Sequence, residues 1–503
     1  MFVRKKKNRS GIISIQVISK VYGKYKVVKT IGSSDNTEEI EKLVASAEQW
    51  IKEKQGVVDL DFNNERDLTL QFLANIERIT VRGPELLLGK LFDEIGFNQI
   101  EEPLFRQLVI ARLCFPASKL RTTDYLSKYQ FIDVDVHVVY RYLDKLYKTQ
   151  KEEVQRISYE HTLRILGGAI SVVFYDVTTI YFESDSEDEL RQTGFSKDGK
   201  HQHPQIVLGL LVSIDGYPLA YDIFEGKKFE GHTMLPVIEG FTAKYGLGKL
   251  VVIADSGLLS KENIEELVKN DYAFILGARI KNESKTIKDR ILSLNLKNGD
   301  SEIITRGNHM RLVVSYSDSR AKKDRFNRER GLKKLDKQVK SGKLTKSSLN
   351  NRGYNKFLKL TGDVKISINS EKIEEDSKWD GLKGYLTNTT LTKQEIIDNY
   401  GQLWKIEKAF RISKNDLKIR PIYHRLHRRI EAHICIAFVA YKVYKELERL
   451  LKVKGSDLSP EKAIATAKTI YSVTATTPTS KEAISQTLLL NEEQRHLANL
   501  FHL

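Results

Sequence analysis

ISVVFYDVTTIYFES, residues 170–184, is the stretch that decides the fold of this 503-residue chain. Its Val, Ile, Phe and Tyr residues predict a buried β-strand. Asp176 lies in the middle of that strand, with no Lys or Arg within seven positions on either side. Because a buried carboxylate is costly unless something pairs with it, Asp176 requires a partner from outside this stretch.

The segments that follow predict a mixed sheet with helices against it. QIVLGLLVSIDGYPLAYDIFEG, residues 205–226, reads as two strands joined by a tight turn at Asp215-Gly216. Helix, strand, helix and strand follow in HTMLPVIEGFTAKYG, KLVVIAD, SKENIEELVKN and YAFILGAR, which end at residue 279. The order of three strands, helix, strand, helix and strand predicts an α/β fold.

The length of the chain predicts several domains rather than one core. The helical region predicted over residues 64–168 could dock on DNA or serve only for packing, and the sequence leaves both interpretations open. The predicted segments are a β-hairpin and helix over 1–63, a helical region over 64–168, the sheet domain over 169–280 and 381–450, a basic β-rich insertion over 281–380, and a helical tail over 451–503.

Positive charge is concentrated in two segments of a chain whose net charge is +16. Residues 320–346 hold twelve Lys or Arg and three Asp or Glu, and residues 405–429 hold nine and two. Clustered positive charge predicts a polyanionic partner, nucleic acid first, although the first cluster alone fits a solvated helix face equally well. The first DNA-binding candidates are Arg320, Lys322, Lys323 and Arg325.

Composition argues against a membrane or secreted protein. No run of eighteen apolar residues exists, and no apolar signal core follows the basic N-terminus. Cys114 and Cys435, the two cysteines, both have apolar neighbours and predict buried thiols in a reducing compartment. The predicted location is cytoplasmic.

A second carboxylate, Asp255, ends the strand KLVVIAD. Sites in open α/β sheets are built at the carboxyl ends of strands, which favours a functional role. Asp also caps strand–helix turns, and this alternative is the simpler one for Asp255 taken alone.

The third carboxylate lies in LTKQEIIDNYGQLWKIEKAFRISKNDL, residues 391–417. Thr392 and Glu395 form a capping box, so one helix is predicted from there. Helical spacing places a stripe of residues on one face of it: Tyr400, Leu403, Glu407, Arg411 and Lys414. An exposed face with a Glu407–Arg411 ion pair is the alternative, but the nearby apolar residues argue against full solvation.

Three isolated carboxylates on apolar elements suit a shared divalent cation. We expect Asp176, Asp255 and Glu407 to converge at one edge of the sheet. Mg²⁺ takes few protein carboxylates and leaves positions for water and phosphate, and two such ions could act on a phosphodiester, with Mn²⁺ as a substitute. The cation would offset the cost of burying Asp176.

These residues and their order resemble the DDE transposases of bacterial insertion sequences. The resemblance is to the branch with a Tyr-x2-Arg-x3-Glu-x6-Lys signature, represented here by Tyr400, Leu403, Glu407 and Lys414. It implies a ribonuclease-H-like mixed sheet with flanking helices, a β-rich insertion between the second Asp and the Glu, and an N-terminal hairpin plus helical region. Leu403 departs from the signature Arg.

The resemblance implies an activity and its residues. Asp176, Asp255 and Glu407 would be catalytic metal ligands for Mg²⁺-dependent cleavage of element ends and strand transfer into target DNA. Tyr400 and Lys414 would handle DNA phosphates, and the role of the missing Arg would pass to Arg411 or Lys405, or be absent. The implied partners are terminal inverted repeats, target DNA and a second copy of the chain, in a bacterial or archaeal cell.

Two other functions stay open at this point. A nuclease with the same core would cleave DNA without joining it. A catalytically inactive DNA-binding regulator would keep the fold, but the three intact carboxylates speak against it.

Overall fold

The structure is a computed structural model. The chain forms two compact units, 1–78 with 473–485 and 79–472 with 486–503. Lys343 and Lys346 of the basic cluster, and the predicted boundary at residues 63 and 64, lie outside the part that the structure describes. The described residues are 1–55, 65–196, 199–247, 250–307, 309–341, 344, 349–350, 353–361, 365–477 and 480–503.

The first unit contains an antiparallel three-stranded sheet: β1 (Phe2–Lys7), β2 (Ile13–Val21) and β3 (Lys24–Ser34). Helices α1 (Thr37–Lys54) and α2 (Glu65–Ala74) follow. Ile40, Ala47 and Ile51 of α1 form a small core with Ile15 and Val17. The predicted hairpin is present, and β1 adds a strand whose basic residues gave no strand signal.

The second stretch is helical apart from one strand, β4 (Ile76–Val81). Its helices are α3 (Lys90–Ile95), α4 (Pro103–Cys114), α5 (Lys119–Gln130), α6 (Val136–Lys145) and α7 (Lys151–Ile165). Ser118 caps α5, because its hydroxyl accepts a hydrogen bond from the Arg121 amide.

The predicted α/β order appears next in the chain. Strands β5 (Val172–Tyr181), β6 (Gln205–Ser213) and β7 (Pro218–Glu225) are followed by α8 (Met234–Tyr245), β8 (Val251–Ala254), α9 (Lys261–Lys269) and β9 (Ala273–Ala278). β5 pairs with β6 antiparallel and with β8 parallel, and β8 pairs with β9 parallel.

The segment predicted as an insertion contributes directly to this sheet. Its elements are α10 (Lys285–Ser293), β10 (Ser301–Thr305), β11 (Arg311–Tyr316), α11 (Asp318–Lys340), β12 (Leu358–Thr361), β13 (Lys365–Ile368) and α12 (Ser370–Ser377). With β14 (Leu382–Thr387), β10 and β11 complete an eight-stranded sheet of order β10-β11-β14-β9-β8-β5-β6-β7. β12 and β13 form a separate pair.

The C-terminal part begins with helices α13 (Lys393–Gly401), α14 (Trp404–Arg411) and α15 (His427–Val453). α16 (Pro460–Ala467), β15 (Tyr471–Thr476), β16 (Ala483–Leu488) and α17 (Glu492–Phe501) follow. A wholly helical tail over 451–503 was the wrong prediction: β15 and β16 pair in a sheet of order β16-β15-β4. The β-branched residues of β15 favour a strand once β4 offers it a partner.

Different helices cover the two faces of the large sheet. On one face Phe174 and Ile253 join a core with residues of α13, α14 and α15. On the other face Tyr175 and Val252 pack with α8 through Ile238. Because side chains alternate along a strand, Asp176 belongs to the face that α13, α14 and α15 cover.

The two cysteines lie in the interior of the protein. Cys114 and Cys435 are buried free thiols, and burial raises the pKa of each to about 12. No helix in the described part of the chain has the length and apolar character needed to cross a membrane.

Candidate active site

The register of two parallel strands places Asp176 beside Asp255. Tyr175 of β5 pairs with Ala254 of β8, and the two aspartates come one step further along. Neighbouring strands lie about 4.8 Å apart, so the two carboxylates project from adjacent positions where β8 ends and β5 continues. The strand predicted from residues 170–184 therefore places Asp176 next to the end of β8.

Local backbone amides orient both aspartates. The Asp176 Oδ1 accepts a hydrogen bond of 2.7 Å from the Val177 amide, and the Asp255 Oδ1 accepts one of 2.5 Å from the Gly257 amide. The turn-capping role considered for Asp255 is thus real, but it occupies one oxygen. The Asp255 Oδ2 has no hydrogen-bond donor among the described residues.

The helix carrying Glu407 is interrupted, which corrects the prediction of one continuous helix. α13 ends at Gly401, and tighter i to i−3 hydrogen bonds follow: the Leu403 amide donates to the Tyr400 carbonyl at 3.0 Å, and the Ile406 amide donates to the Leu403 carbonyl at 3.1 Å. The tighter winding rotates the chain before α14 begins. The predicted stripe is therefore split between buried and exposed positions.

The members of that stripe have different environments. Tyr400 and Leu403 are buried, whereas Glu407 and Arg411 are exposed. Lys414 is half-buried in a π turn after α14. Glu407 and Arg411 form no ion pair with each other or with another described residue, so the alternative of a salt-bridged helix face is not what the structure contains.

Tyr400 lies against Gly277 of β9. Gly277 directly follows Leu276, which pairs with Ala254 of β8. A Cβ on Gly277 would come within 2.4 Å of the Tyr400 hydroxyl oxygen and 3.0 Å of the Ser256 amide. Burial raises the pKa of Tyr400, and the negative charges of Asp255 and Glu407 raise it further. Tyr400 therefore carries a neutral hydroxyl within electrostatic reach of two of the predicted site carboxylates.

Gly277→Ala is expected to push Tyr400 away from this position. The free energy of unfolding should fall by about 1–3 kcal/mol because the core has no room for a methyl group. If Tyr400 positions substrate, cleavage should fall by up to about 100-fold. Urea unfolding and single-turnover DNA cleavage measure the two effects.

Gly240→Ala is the matched control, since a Cβ there meets no atom within 4 Å. In the α8 helix this change should be neutral or stabilising. Equal behaviour of the two variants would contradict close contact between Tyr400 and Gly277.

Lys383 of β14 is a neighbour of the site that sequence reasoning missed. Its Nζ lies 4.3 Å from the centroid of the Tyr400 ring. Burial lowers the pKa of Lys383, as does Arg320, whereas Glu407 raises it. Lys383 therefore lies over the Tyr400 ring and within electrostatic reach of Glu407, and the available signal was a lysine alternating with Tyr385 in an apolar strand.

The three carboxylates do not form one metal-binding cluster in the described part of the chain. In the part of the chain that the structure describes, no three His, Cys, Asp or Glu side chains are grouped closely enough to hold a metal ion. Asp176 and Asp255 follow a register pair of adjacent strands, whereas the convergence of all three side chains stays a prediction. Carboxylates repel one another, and a bound cation would offset the repulsion among three of them.

A cavity of about 680 Å³ opens beside Ser256 and Lys383. Several of its basic residues are already paired: Arg328 donates to the Asp380 carboxylate at 2.6 Å, and Lys281 and Lys356 both contact Asp376. Arg279, which also lines it, has no carboxylate within 4.0 Å among the described residues. Arg279 and Lys383 thus line this cavity without an ion pair to a described carboxylate.

The predicted DNA-binding residues fall into two groups. Lys322, Lys323 and Arg325 are exposed on α11, and Arg320 lies at its start, where it donates to the Leu382 carbonyl at 3.3 Å. Lys405 instead donates to the Ile214 carbonyl at 2.7 Å, and burial lowers its pKa. Lys405 therefore stabilises the β6–β7 turn.

The family model described as "Transposase DDE domain" matches residues 167–442. The match covers more than half of the 503 residues and includes all three carboxylates. This chain belongs to the DDE transposase family. The resemblance recognised in the sequence is confirmed, and the chain is a DNA-transposing enzyme of a family that uses divalent metal ions.

Other comparisons add little to this assignment. A solved structure of the piggyBac transposase synaptic complex with hairpin DNA is similar to this DDE transposase at 9% identity and a TM-score of 0.39. The similarity covers 80% of this chain and 79% of that one. No curated protein matches the sequence.

Proposed function

We propose that this DDE transposase cleaves the ends of an insertion sequence and joins them to target DNA. The observation that carries the proposal is the register of β5 and β8, which puts Asp176 beside Asp255. Glu407 lies on α14, whose Ile406 and Phe410 pack in the core on the Asp176 face. The same constellation serves cleavage and joining, since both reactions act on a phosphodiester.

The strand order supports a ribonuclease-H-like core. β7-β6-β5-β8-β9 has three antiparallel strands followed by two parallel ones. The carboxylates lie on the first strand in sequence order, after the fourth, and on a late helix. This is the arrangement that the family resemblance implies, and β10, β11 and α11 enter between the second Asp and the Glu.

The donor set fits a hard divalent cation. Mg²⁺ prefers carboxylate oxygens, and the residues that would hold it are Asp176, Asp255 and Glu407. Glu407 has no hydrogen bond or ion pair with a described residue, and the Asp255 Oδ2 accepts none, so these oxygens are available as ligands. Bound Mg²⁺, one ion or two, or Mn²⁺ in its place, would supply an activated water and charge stabilisation at the phosphodiester.

Basic residues around the carboxylates would bind the phosphates. Lys383 and Arg279 flank the cavity beside Ser256, and the buried Tyr400 hydroxyl can donate one hydrogen bond to a phosphate oxygen. Leu403 is buried and cannot replace the signature Arg. Arg411 is exposed one turn from Glu407 and is the better substitute, because Lys405 is engaged by the β6–β7 turn.

The DNA-binding surface would extend from the site along α11. Ala321, Gly331 and Leu335 form its buried side, and the exposed side is rich in Lys and Arg. Such a helix contacts phosphates without reading bases. Paired cleavage of two ends requires two copies on DNA, so we propose a homodimer in the complex, in the cytoplasm of a bacterial or archaeal cell.

Incubating the full chain with terminal-repeat DNA is expected to yield cleaved ends and strand-transfer products in Mg²⁺ or Mn²⁺. EDTA should abolish both products, because the carboxylates alone cannot activate water. Gel analysis of labelled ends measures both steps.

Each competing function gives a different pattern in that assay. Cleavage without joining of a pre-cut 3′ end would indicate a nuclease with this core. Specific DNA binding without cleavage in either metal would indicate an inactive regulator and would contradict the proposal.

A further inference from the structure

A second cavity, of about 610 Å³, lies away from the carboxylates in the same unit. It is formed by the end of α4, the start of α5 and the segment after the π turn that follows α14. Its basic residues are Arg112, Lys119, Arg121, Lys418 and Arg420, with His424 and His433 also on the wall. No Asp or Glu is among the described residues that line it.

Two of these cations are buried. Arg112 is 5% exposed and Lys119 is 4% exposed. Arg112 donates one long hydrogen bond, of 3.4 Å, to the Leu417 carbonyl. Lys119 has no hydrogen bond or ion pair with any described residue, although it lines the cavity. A buried ammonium without a protein acceptor is costly, which points to a ligand that compensates it.

The electrostatics of the neighbouring groups agree with uncompensated positive charge. Burial lowers the pKa of Arg112 to about 10, and burial together with Arg112 lowers the pKa of Lys119. Burial lowers the pKa of His424 to about 3, and Lys119 and Arg112 lower it further. Asp144 opposes this effect weakly, because Arg428 and Arg429 already pair with it. The positive charge of these groups therefore favours a bound anion in the cavity.

The start of α5 adds to this preference. Lys119 is the first residue of the twelve-residue helix α5, and the capping residue Ser118 lines the same cavity. The partial positive charge of a helix N-terminus favours a bound anion, and phosphate most often. A guanidinium and an ammonium at one point suit the several oxygens of a phosphate group.

We propose that this cavity binds a backbone phosphate of DNA outside the cleavage site. The inference rests on the proposed action on DNA. Exposed residues at the mouth, Leu120 and Tyr423, are 61% and 65% exposed, so an extended strand can continue past the cavity. A free phosphate ion shares the chemistry but would not need such a rim.

The position of the cavity relative to Asp176 can be estimated along β5. Ile422 bridges to Phe182, six residues beyond Asp176. At about 3.3 Å per residue, Phe182 lies roughly 20 Å from Asp176, and Pro421 and Tyr423 on either side of Ile422 line the cavity. The bound phosphate would therefore belong to a nucleotide other than the scissile one.

Lys119→Met tests the proposal, with Lys128→Met as the matched control. Lys128 lies on the same helix, is exposed and is ion-paired with Asp124 at 3.8 Å. DNA affinity of the full chain is measured against salt concentration. Losing one phosphate contact should reduce the slope of log affinity against log salt by about 0.9. The control should leave the slope unchanged.

A methylphosphonate scan of the DNA locates the contact. One neutral linkage outside the cleavage site should weaken binding to the parent, and the same linkage should have no further effect on Lys119→Met. Lys119→Arg should restore the sensitivity. Thermal unfolding shows whether Lys119→Met is folded, and Arg121→Gln on the rim gives a second reading with a smaller loss.

The possible outcomes distinguish a DNA phosphate from a free phosphate ion. They also distinguish failure of this inference from failure of the proposed function. A Lys119-dependent thermal shift with inorganic phosphate, without any change in DNA binding, would mean a free-phosphate site and would overturn the inference. Unchanged slope and unchanged methylphosphonate sensitivity in Lys119→Met would also overturn it. Failure of the parent to bind DNA would instead contradict the proposed function.

Discussion

Asp176→Asn is expected to abolish DNA cleavage while DNA binding persists. The amide keeps the shape and the hydrogen bond from the Val177 amide, but it removes the charge that a divalent cation requires. Loss of a group of this kind typically costs about 10³-fold or more in rate. Single-turnover cleavage of a pre-bound terminal-repeat substrate measures the loss, and a filter-binding assay measures the retained affinity.

Asp222→Asn is a closely matched control. Asp222 also lies on a strand of the large sheet and also accepts a hydrogen bond from the next amide, that of Ile223, at 2.9 Å. Its neighbours Tyr221 and Ile223 pack on the face that Asp176 shares, so Asp222 points to the other face. Cleavage by this variant should be close to that of the parent. Equal loss in both variants would mean that a charge anywhere in the sheet matters and would remove Asp176 from the site.

Removing three charges from α11 is expected to have the second largest effect. Lys322, Lys323 and Arg325 are exposed, and replacing all three with Gln should weaken DNA binding by roughly 10- to 100-fold at low salt. If each contacts one phosphate, the slope of log affinity against log salt should become shallower by up to about 2.7. Fluorescence anisotropy across a salt series measures both quantities.

A control with the same change in net charge separates contact from long-range attraction. Lys128, Lys269 and Lys462 are exposed and ion-paired with Asp124, Glu266 and Glu493. Their triple replacement with Gln should change the slope little. If the two triple variants have the same slope, α11 does not contact DNA.

The sheet around the site could be predicted from sequence because its signals are local. Residues 170–184 have the alternation and β-branched composition of a strand, and Asp215-Gly216 marks the next turn. The structure places β5, β6 and β7 there and places Asp176 beside Asp255. Parallel pairing of β8 with β9 follows from the strand–helix–strand pattern, whereas the placement of β8 beside β5 has no local signal.

Other features depend on contacts between distant segments of the chain and could not be predicted from the sequence. The pairing of β11 with β14 makes the predicted insertion part of the large sheet, and nothing local specifies that partner. β15 lies in the segment predicted as helical, and its pairing with β4 is a contact between distant parts of the chain. The break after α13 had a weak local signal, Gly401, which the strong capping box at Thr392 outweighed.

Buried cations are the clearest example of what sequence leaves out. Lys383 and Lys119 look like ordinary surface lysines in the chain, because charge alone says nothing about burial. Only the fold shows that Lys383 lies over the Tyr400 ring and that Lys119 lines a cavity without a carboxylate. Both became candidates through their surroundings rather than through a motif.

Anomalous diffraction from Mn²⁺ in crystals of the full chain bound to terminal-repeat DNA would test the central claim most directly. The account predicts Mn²⁺ bound by the carboxylates of Asp176 and Asp255, with Glu407 drawn in as a ligand. Mn²⁺ bound elsewhere on the protein, with these three carboxylates unliganded while the DNA is cleaved in the same crystals, would contradict it.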